Sequence, residues 1–266
     1  MIARYFIKSL LLNKSLLGWG IGFMAFWIFM GAFVFGFNTD SRSGALAYTS
    51  IWFSLIGLIS GSVVATSIAH SVYYANSSLS YAFRYTKLKP ISYISEMMIS
   101  ASLVTALIGG VVILLSAGMF SAKAGYFLLP TYPEISLVVL LTAGIFIFLL
   151  SCVLVLFANN SLGLKSISFI ALLPQLLSYL FGFSELGVPL PSYIIYASPF
   201  SEIPRLLFQT YYGEASPLGI SSMSGPTLNP YLLSAGLLFW IVVLFMLAIY
   251  LIRRVRSGSI EEARQI

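Results

Sequence analysis

The sequence predicts an all-α integral membrane protein with six transmembrane helices. It also predicts an N-terminal interfacial helix, a short cytoplasmic helix between spans two and three, and a broken re-entrant helix pair on the outer side between spans five and six. Of the 266 residues, 59% are hydrophobic and 8% are charged, whereas soluble domains carry about 25% charged residues. The apolar residues form six long runs, and most cations flank them on one side. We therefore expect one transmembrane domain over residues 1–266.

Six apolar runs are long enough to span a bilayer. A spanning helix needs about 20 mostly apolar residues, because each residue advances about 1.5 Å through a hydrocarbon core of about 30 Å. The fifth run is the shortest and contains Pro174 and Gln175, so we expect it to be kinked. The predicted spans are approximately 16–37, 47–71, 95–120, 135–158, 166–183 and 231–252.

The distribution of Lys and Arg predicts the orientation. If the N-terminus is cytoplasmic, 11 of the 14 cations lie in cytoplasmic segments and three lie in outer segments. This excess follows the positive-inside rule and predicts a multi-pass protein of the cell membrane with both termini in the cytoplasm. The rule also explains the net charge of +6 without a nucleic-acid partner. The first apolar run is too long for a cleaved signal, so we expect it to be retained.

The first 15 residues predict an amphipathic helix that lies on membrane lipids. Arg4 and Lys8 are one turn apart, while Ile2, Phe6 and Leu10 fall near another face. Such a division is typical of an interfacial helix. The alternative is that the first span simply begins early, with a positive flank.

The segment after the second span predicts a short helix with two faces. As a helix, residues 79–88 place cations along one stripe and aromatic and aliphatic side chains beside it. We expect Pro90 to end the helix, because proline disfavours the helical conformation at the preceding residue. Anionic lipid, a groove on a partner, and a plain solvated turn all remain possible roles. The segment contains Leu79, Tyr81, Phe83, Arg84, Tyr85, Lys87 and Leu88.

The connection between spans five and six, about residues 184–230, is too apolar for a free loop. Its middle is interrupted by Pro189, Pro191, Pro199 and Pro204, so it is also too broken to span. We expect two short helices that dip into the outer leaflet, with Pro199 or Pro204 starting the second. An exposed tail rich in Gly, Ser and Pro follows them.

No catalytic arrangement is evident in the sequence. One histidine (His70) and one cysteine (Cys152) cannot form a metal site of Cys and His ligands. We interpret His70 as a polar anchor, and Glu96 as a charge that suits a helix N-terminus or pairs with Lys89 or Arg84. The chain has no phosphate-binding loop, so we expect no enzyme activity of its own, and any ATP would be bound by another chain.

The order of these parts resembles the ABC-2 type permease subunits of ABC transporters. Two local motifs carry the resemblance. YTKLKPISYISEMM is similar to the family's threonine and proline ahead of span three. YIIYASPFSEIPRLLFQTYYG is similar to its outer segment, in which a proline (Pro199 or Pro204) precedes an Arg-Leu pair that begins at Arg205.

The resemblance implies a permease subunit that pairs with a second copy or a homologous permease. Each would dock on a cytoplasmic ABC ATPase that binds ATP and Mg. The docking surface would be the segment 79–88, as a coupling helix, together with the interfacial helix, and export is the expected direction. Two alternatives stay open. One is a six-span protein of another class, either an integral-membrane enzyme or an assembly factor. The other is a secondary transporter, which the scarcity of mid-membrane charges disfavours.

Overall fold

A computed structural model describes residues 2–35, 41–161, 168–187 and 190–254. These residues form a bundle of helices with one short hairpin of strands. The helices are α1 (Ile2–Leu11), α2 (Lys14–Val34), α3 (Arg42–Tyr85), α4 (Pro90–Ala124), α5 (Pro133–Ser161), α6 (Ser168–Gly187), α7 (Ser192–Ala197), α8 (Pro199–Tyr212) and α9 (Pro230–Ile252). The antiparallel strands are β1 (Pro217–Gly219) and β2 (Ser224–Thr227). Within α2, Gly18–Gly22 and Met30–Val34 form π-helical turns.

Five of the described helices are long and apolar enough to cross a membrane. They are α2, residues Arg42–Ala75 of α3, α4, residues Pro133–Asn159 of α5, and α9. The apolar part of α6, Phe169–Ser184, is only about 24 Å long at 1.5 Å per residue. The chain is thus a multi-span, helical integral membrane protein by length and composition, and the sixth span stays a prediction.

Helix α3 lies at the centre of the bundle. No residue between positions 45 and 72 is exposed, because α3 packs against α4, α5, α6 and α8. Hydroxyl side chains of α3 donate to backbone carbonyls of the same helix: Thr49 donates to Ala45 O at 2.8 Å and Ser62 donates to Ile59 O at 2.7 Å. A hydroxyl that bonds to its own helix in this way adds no unpaired polar group to the core.

Small residues allow the helices to approach one another closely. A Cβ built on Gly144 of α5 would lie 2.7 Å from Ser102 Cα of α4. A Cβ on Gly57 of α3 would lie 2.9 Å from a methyl of Leu207 on α8. By contrast, nothing lies within 4 Å of the Cβ positions of Gly18 and Gly22. Gly57 of α3 therefore packs inside the chain, whereas Gly18 and Gly22 of α2 face outward.

The bundle has two ends that differ in charge. The cation end comprises α1, Lys14 at the start of α2, residues 84–89 at the end of α3 and in the following turn, and Arg253 and Arg254 after α9. The hairpin end comprises Ser41, residues 125–132, and residues 213–229 with the two strands. Of the described cations, eight lie at the cation end and three (Arg42, Lys123 and Arg205) lie towards the hairpin end. The remaining cations, Lys165, Arg256 and Arg264, lie outside the described residues.

The segment after span two differs from its prediction. It is not a separate helix over 79–88 that Pro90 ends, since α3 runs without interruption from Arg42 to Tyr85. Thr86 ends the helix in an extended conformation, and Pro90 is the first residue of α4. Proline suits this position because the N–H of the first helical residue has no hydrogen-bond acceptor within the helix, so its absence costs nothing.

Candidate functional site

Helix α3 continues well past the part that could cross a membrane. Its candidate span ends at Ala75, and ten further residues, 76–85, extend towards the cation end. At 1.5 Å per residue this extension is about 15 Å long. The predicted docking residues lie on this extension and the following turn, beyond the end of the candidate span.

These residues divide into an inward and an outward set. Leu79 is 4% exposed and belongs to the hydrophobic core, and Leu88 is half-buried against it. Phe83 is also half-buried, with its ring 6.1 Å from Tyr93 of α4 in an edge-to-face arrangement. The outward set is exposed and consists of Tyr81, Arg84, Tyr85 and Lys87.

The outward set combines two stacked rings with two cations. The rings of Tyr81 and Tyr85 lie one turn apart, with centroids 6.4 Å apart and planes at 17°. The side chain of Tyr85 is 80% exposed, so most of its aromatic ring is accessible to solvent. Aromatic and Arg side chains are enriched in protein–protein interfaces relative to the rest of the protein surface, so this combination is typical of an interface.

The turn between α3 and α4 is fixed by Thr86. Its N–H and its hydroxyl both donate to Ala82 O, at 3.0 and 2.6 Å. The same hydroxyl accepts from Leu88 N at 3.1 Å. Lys89 then adopts an extended conformation ahead of Pro90, as residues before proline prefer. The turn therefore holds Lys87 and Lys89 at fixed places beside the extension.

Helix α1 lies at the same end and is attached to α4. Phe6 and Leu10 are buried in the core, while Arg4 and Lys8 are exposed, as expected of an amphipathic helix. The Ala3 N–H donates to Glu96 Oε2 at 3.1 Å, and Ser100 Oγ donates to Ala3 O at 3.2 Å. The described helix ends at Leu11, four residues before the predicted bound of the interfacial helix.

Helices α7 and α8 form a pair whose connecting turn lies beside the middle of α9. The Trp240 indole N–H donates to Ala197 O at 2.9 Å, and the rings of Phe200 and Phe146 are 5.5 Å apart. Trp240 lies ten residues into α9, so the turn is about 15 Å from the start of that helix. At the other end of α8, Thr131 N donates to Tyr211 O at 3.0 Å. Because Thr131 belongs to the hairpin end, the last turn of α8 lies at that end of the bundle.

The predicted residues of this segment are all buried. Pro199 is the first residue of α8, whereas Pro204 lies inside it. The Arg205 guanidinium donates to Leu218 O at 2.8 Å, to Ser216 Oγ at 3.3 Å, and to Pro217 O. Arg205 therefore attaches the strand hairpin to α8. The prediction of an exposed tail after α8 was wrong for residues 216–220. Residues 216–218 accept hydrogen bonds from this arginine, and Ile220 packs against Ile51 and Phe208, whereas residues 221–227 are exposed.

Sequence reasoning missed the environment of Glu202. Glu202 lies in the first turn of α8 and is fully buried, and neither carboxylate oxygen has a hydrogen-bond partner among the described residues. Burial disfavours the charged form and raises the pKa of Glu202 to about 8. The sequence did contain one signal of this burial: Glu202 is a lone acidic residue between Pro199 and Pro204 in an otherwise apolar segment.

The part of the chain that the structure describes has few His, Cys, Asp and Glu side chains, and they are scattered. It contains no group of three or more His, Cys, Asp or Glu side chains that could hold a metal ion. His70 is half-buried, with its ring 6.3 Å from that of Tyr74. In comparisons with known proteins, the chain matches no family model and no curated protein.

Proposed function

We propose that the chain is the membrane permease subunit of an ATP-driven ABC transporter, working as a dimer and moved by a separate ATPase. The observation that carries the proposal is the extension of α3. It places Tyr81, Arg84 and Tyr85 on an exposed surface that is continuous with the central helix of the bundle.

The packing of this extension suits the transmission of force. Leu79 and Phe83 anchor it to the core and to α4, so a partner that moved the exposed face would move α3 and α4 together. Helix α1 would move with them, because Ala3 and Ser100 connect it to α4. An ATPase docked here would therefore act on the middle of the bundle and not on a loop.

Charge supports the orientation that the proposal needs. Eight of the described cations lie at the cation end, which we assign to the cytoplasm by the positive-inside rule. ATP and Mg would be bound by the partner on this side. The paired helices α7 and α8 and the strand hairpin would then lie in the outer leaflet and on the outer surface of the cell membrane.

A transport path is proposed to lie between two copies. The centre of one copy is filled by α3, whose residues between 45 and 72 are not exposed. The outward rings of α2, including Trp19, Phe26 and Phe29, are available to lipid or to a second copy. Export as the direction rests on the family resemblance.

Site-specific photo-crosslinking tests the docking surface. A photoreactive phenylalanine analogue at position 85 should crosslink to a P-loop ATPase in the native membrane, and Arg84→Glu should abolish the crosslink. Tyr231 is the matched control, because it is 84% exposed but lies at the hairpin end. No ATPase at position 85, or equal capture at position 231, would contradict the assignment and favour a non-ABC membrane protein or a secondary transporter.

A further inference from the structure

Glu202 is the acidic side chain most enclosed by the described part of the molecule. It is 0% exposed, and both of its carboxylate oxygens are buried without a hydrogen-bond partner. An ionised carboxylate in such a place would have lost its hydration and gained nothing in return. The neutral acid is much less costly to bury, so the packing seen here favours the protonated form.

The carboxyl group occupies a space that a glycine leaves open. A Cβ built on Gly236 of α9 would overlap Glu202 Oε1, would lie 2.9 Å from Glu202 Cδ, and would lie 3.2 Å from Tyr196 O. The glutamate thus sits in the contact between α8, α9 and α7. Closure of this contact is what removes Glu202 from water.

No basic side chain neutralises Glu202 within this contact. The charged and imidazole groups of α3 lie outside positions 45–69, and positions 135–159 of α5 and all of α9 contain none. Arg205, one turn along α8, donates to the carbonyls of Pro217 and Leu218 at the strand hairpin. The side chain of Glu185, after the apolar part of α6, lies outside the described residues. Within positions 45–69 of α3, positions 135–159 of α5 and the described parts of α6, α7, α8 and α9, the other titratable groups are Tyr48, Cys152, Tyr179, Tyr193, Tyr196, Tyr211, Tyr212, Tyr231 and Tyr250.

We propose that Glu202 is a proton-binding site that links the closure of the α8–α9 contact to acidity. While the contact is closed, the carboxyl group keeps its proton. When α8 and α9 separate, water reaches the group, its O–H bond breaks, the proton passes to water, and a carboxylate remains. Acid therefore favours the closed contact and alkali favours the open one. This inference rests on the packing alone and holds whether or not an ATPase drives the protein.

Infrared difference spectroscopy tests the protonation directly. Purified protein in lipid nanodiscs is taken from about pH 5 to about pH 9, and the carbonyl stretch of a protonated carboxylic acid is followed. The band should titrate in the wild type, shift in frequency in Glu202→Asp, and disappear in Glu202→Gln. Glu134→Gln is the matched control, because Glu134 is exposed at the hairpin end. A spectrum that Glu202→Gln leaves unchanged would overturn the proposal.

Thiol labelling tests the link to helix separation. In a Cys152→Ala background, Leu233→Cys reports the buried side of α9 one turn before Gly236, and Ala235→Cys reports the exposed side. The ratio of their labelling rates cancels the intrinsic effect of pH on thiols. It should rise several-fold between about pH 5 and about pH 9 and stay flat with Glu202→Gln. A ratio that is flat in the wild type, or that rises equally in both proteins, would refute the coupling.

Discussion

The Ala3 backbone N–H donates a hydrogen bond of 3.1 Å to Glu96 Oε2, which joins the first turn of α1 to α4 across 93 positions of the chain. The first N–H groups of a helix have no partner within it, and a carboxylate also favours the positive end of the helix dipole. Ser100 completes the attachment by donating to Ala3 O. Glu96 therefore helps to hold the amphipathic helix against the bundle.

Glu96→Ala should loosen α1. Hydrogen bonds to charged groups contribute about 1.5–3 kcal/mol, so exchange of the α1 amides with deuterium should become about tenfold faster or more. Hydrogen-exchange mass spectrometry of the first eleven residues measures this. Glu134→Ala, at the other end of the bundle, is the control. Unchanged exchange in Glu96→Ala would mean that Phe6 and Leu10 alone hold the helix.

Arg205→Ala should release the strand hairpin from α8. The substitution leaves the carbonyls of Pro217 and Leu218 without this donor in a buried place, at a cost of about 3 kcal/mol. A broad-specificity protease should then cut the exposed residues 221–227 faster. Arg205→Lys should rescue only in part, because an ammonium cannot reproduce the planar fork of donors. Arg42→Ala, an exposed cation at the same end, should leave the cutting rate unaltered.

Gly144→Ala should destabilise the contact between α4 and α5. The new methyl would meet backbone, at 2.7 Å from Ser102 Cα, and backbone cannot rotate away as a side chain can. Overpacking of this kind costs about 1–3 kcal/mol, which should lower the thermal midpoint in detergent. Gly118→Ala is the matched control, because it makes the same substitution in a helix at a site where nothing lies within 4 Å of the Cβ position. Equal midpoints for the two variants would show that the helices separate without penalty.

The parts of the fold that follow from local chemistry could be predicted from the sequence. Long apolar runs require helices in lipid, and the spacing of Phe6 and Leu10 indicates the buried face of α1. Pro199 was one of two predicted starts for α8. The role of Pro90 was misjudged, because proline both disfavours a helical conformation at the preceding residue and suits the first turn of a new helix. The observed end of α3 is at Thr86, and Pro90 starts α4.

The parts that depend on packing could not be predicted. Nothing near Glu202 in the sequence reveals that Gly236, 34 positions later, leaves space for its carboxyl group. The bond between Ala3 and Glu96 likewise joins segments whose approach is decided by the whole bundle. Sequence periodicity indicates which face of a helix is buried but not which helix covers it.

The stability of the wild type should fall as pH rises, and Glu202→Gln should lack this component. The unfolded carboxyl titrates near 4.5 and burial raises the pKa of Glu202 to about 8 in the folded protein. Between these values the folded state binds more protons than the unfolded state, so the free energy of unfolding decreases with pH. The slope from one such group is at most about 1.4 kcal/mol per pH unit. Below the window both states are protonated, and above it both are ionised, so the contribution is constant on either side.

The measurement compares thermal midpoints of the wild type and Glu202→Gln in detergent from about pH 4 to about pH 9. The difference between the two proteins isolates Glu202, because every other titrating group is common to both. Glutamine keeps nearly the same volume against Gly236, so the variant should be the more stable protein at high pH. Gly236→Ala should destabilise at every pH, since its methyl displaces the carboxyl group whatever its charge. Parallel pH profiles for the wild type and Glu202→Gln would mean that Glu202 reaches water in the folded state.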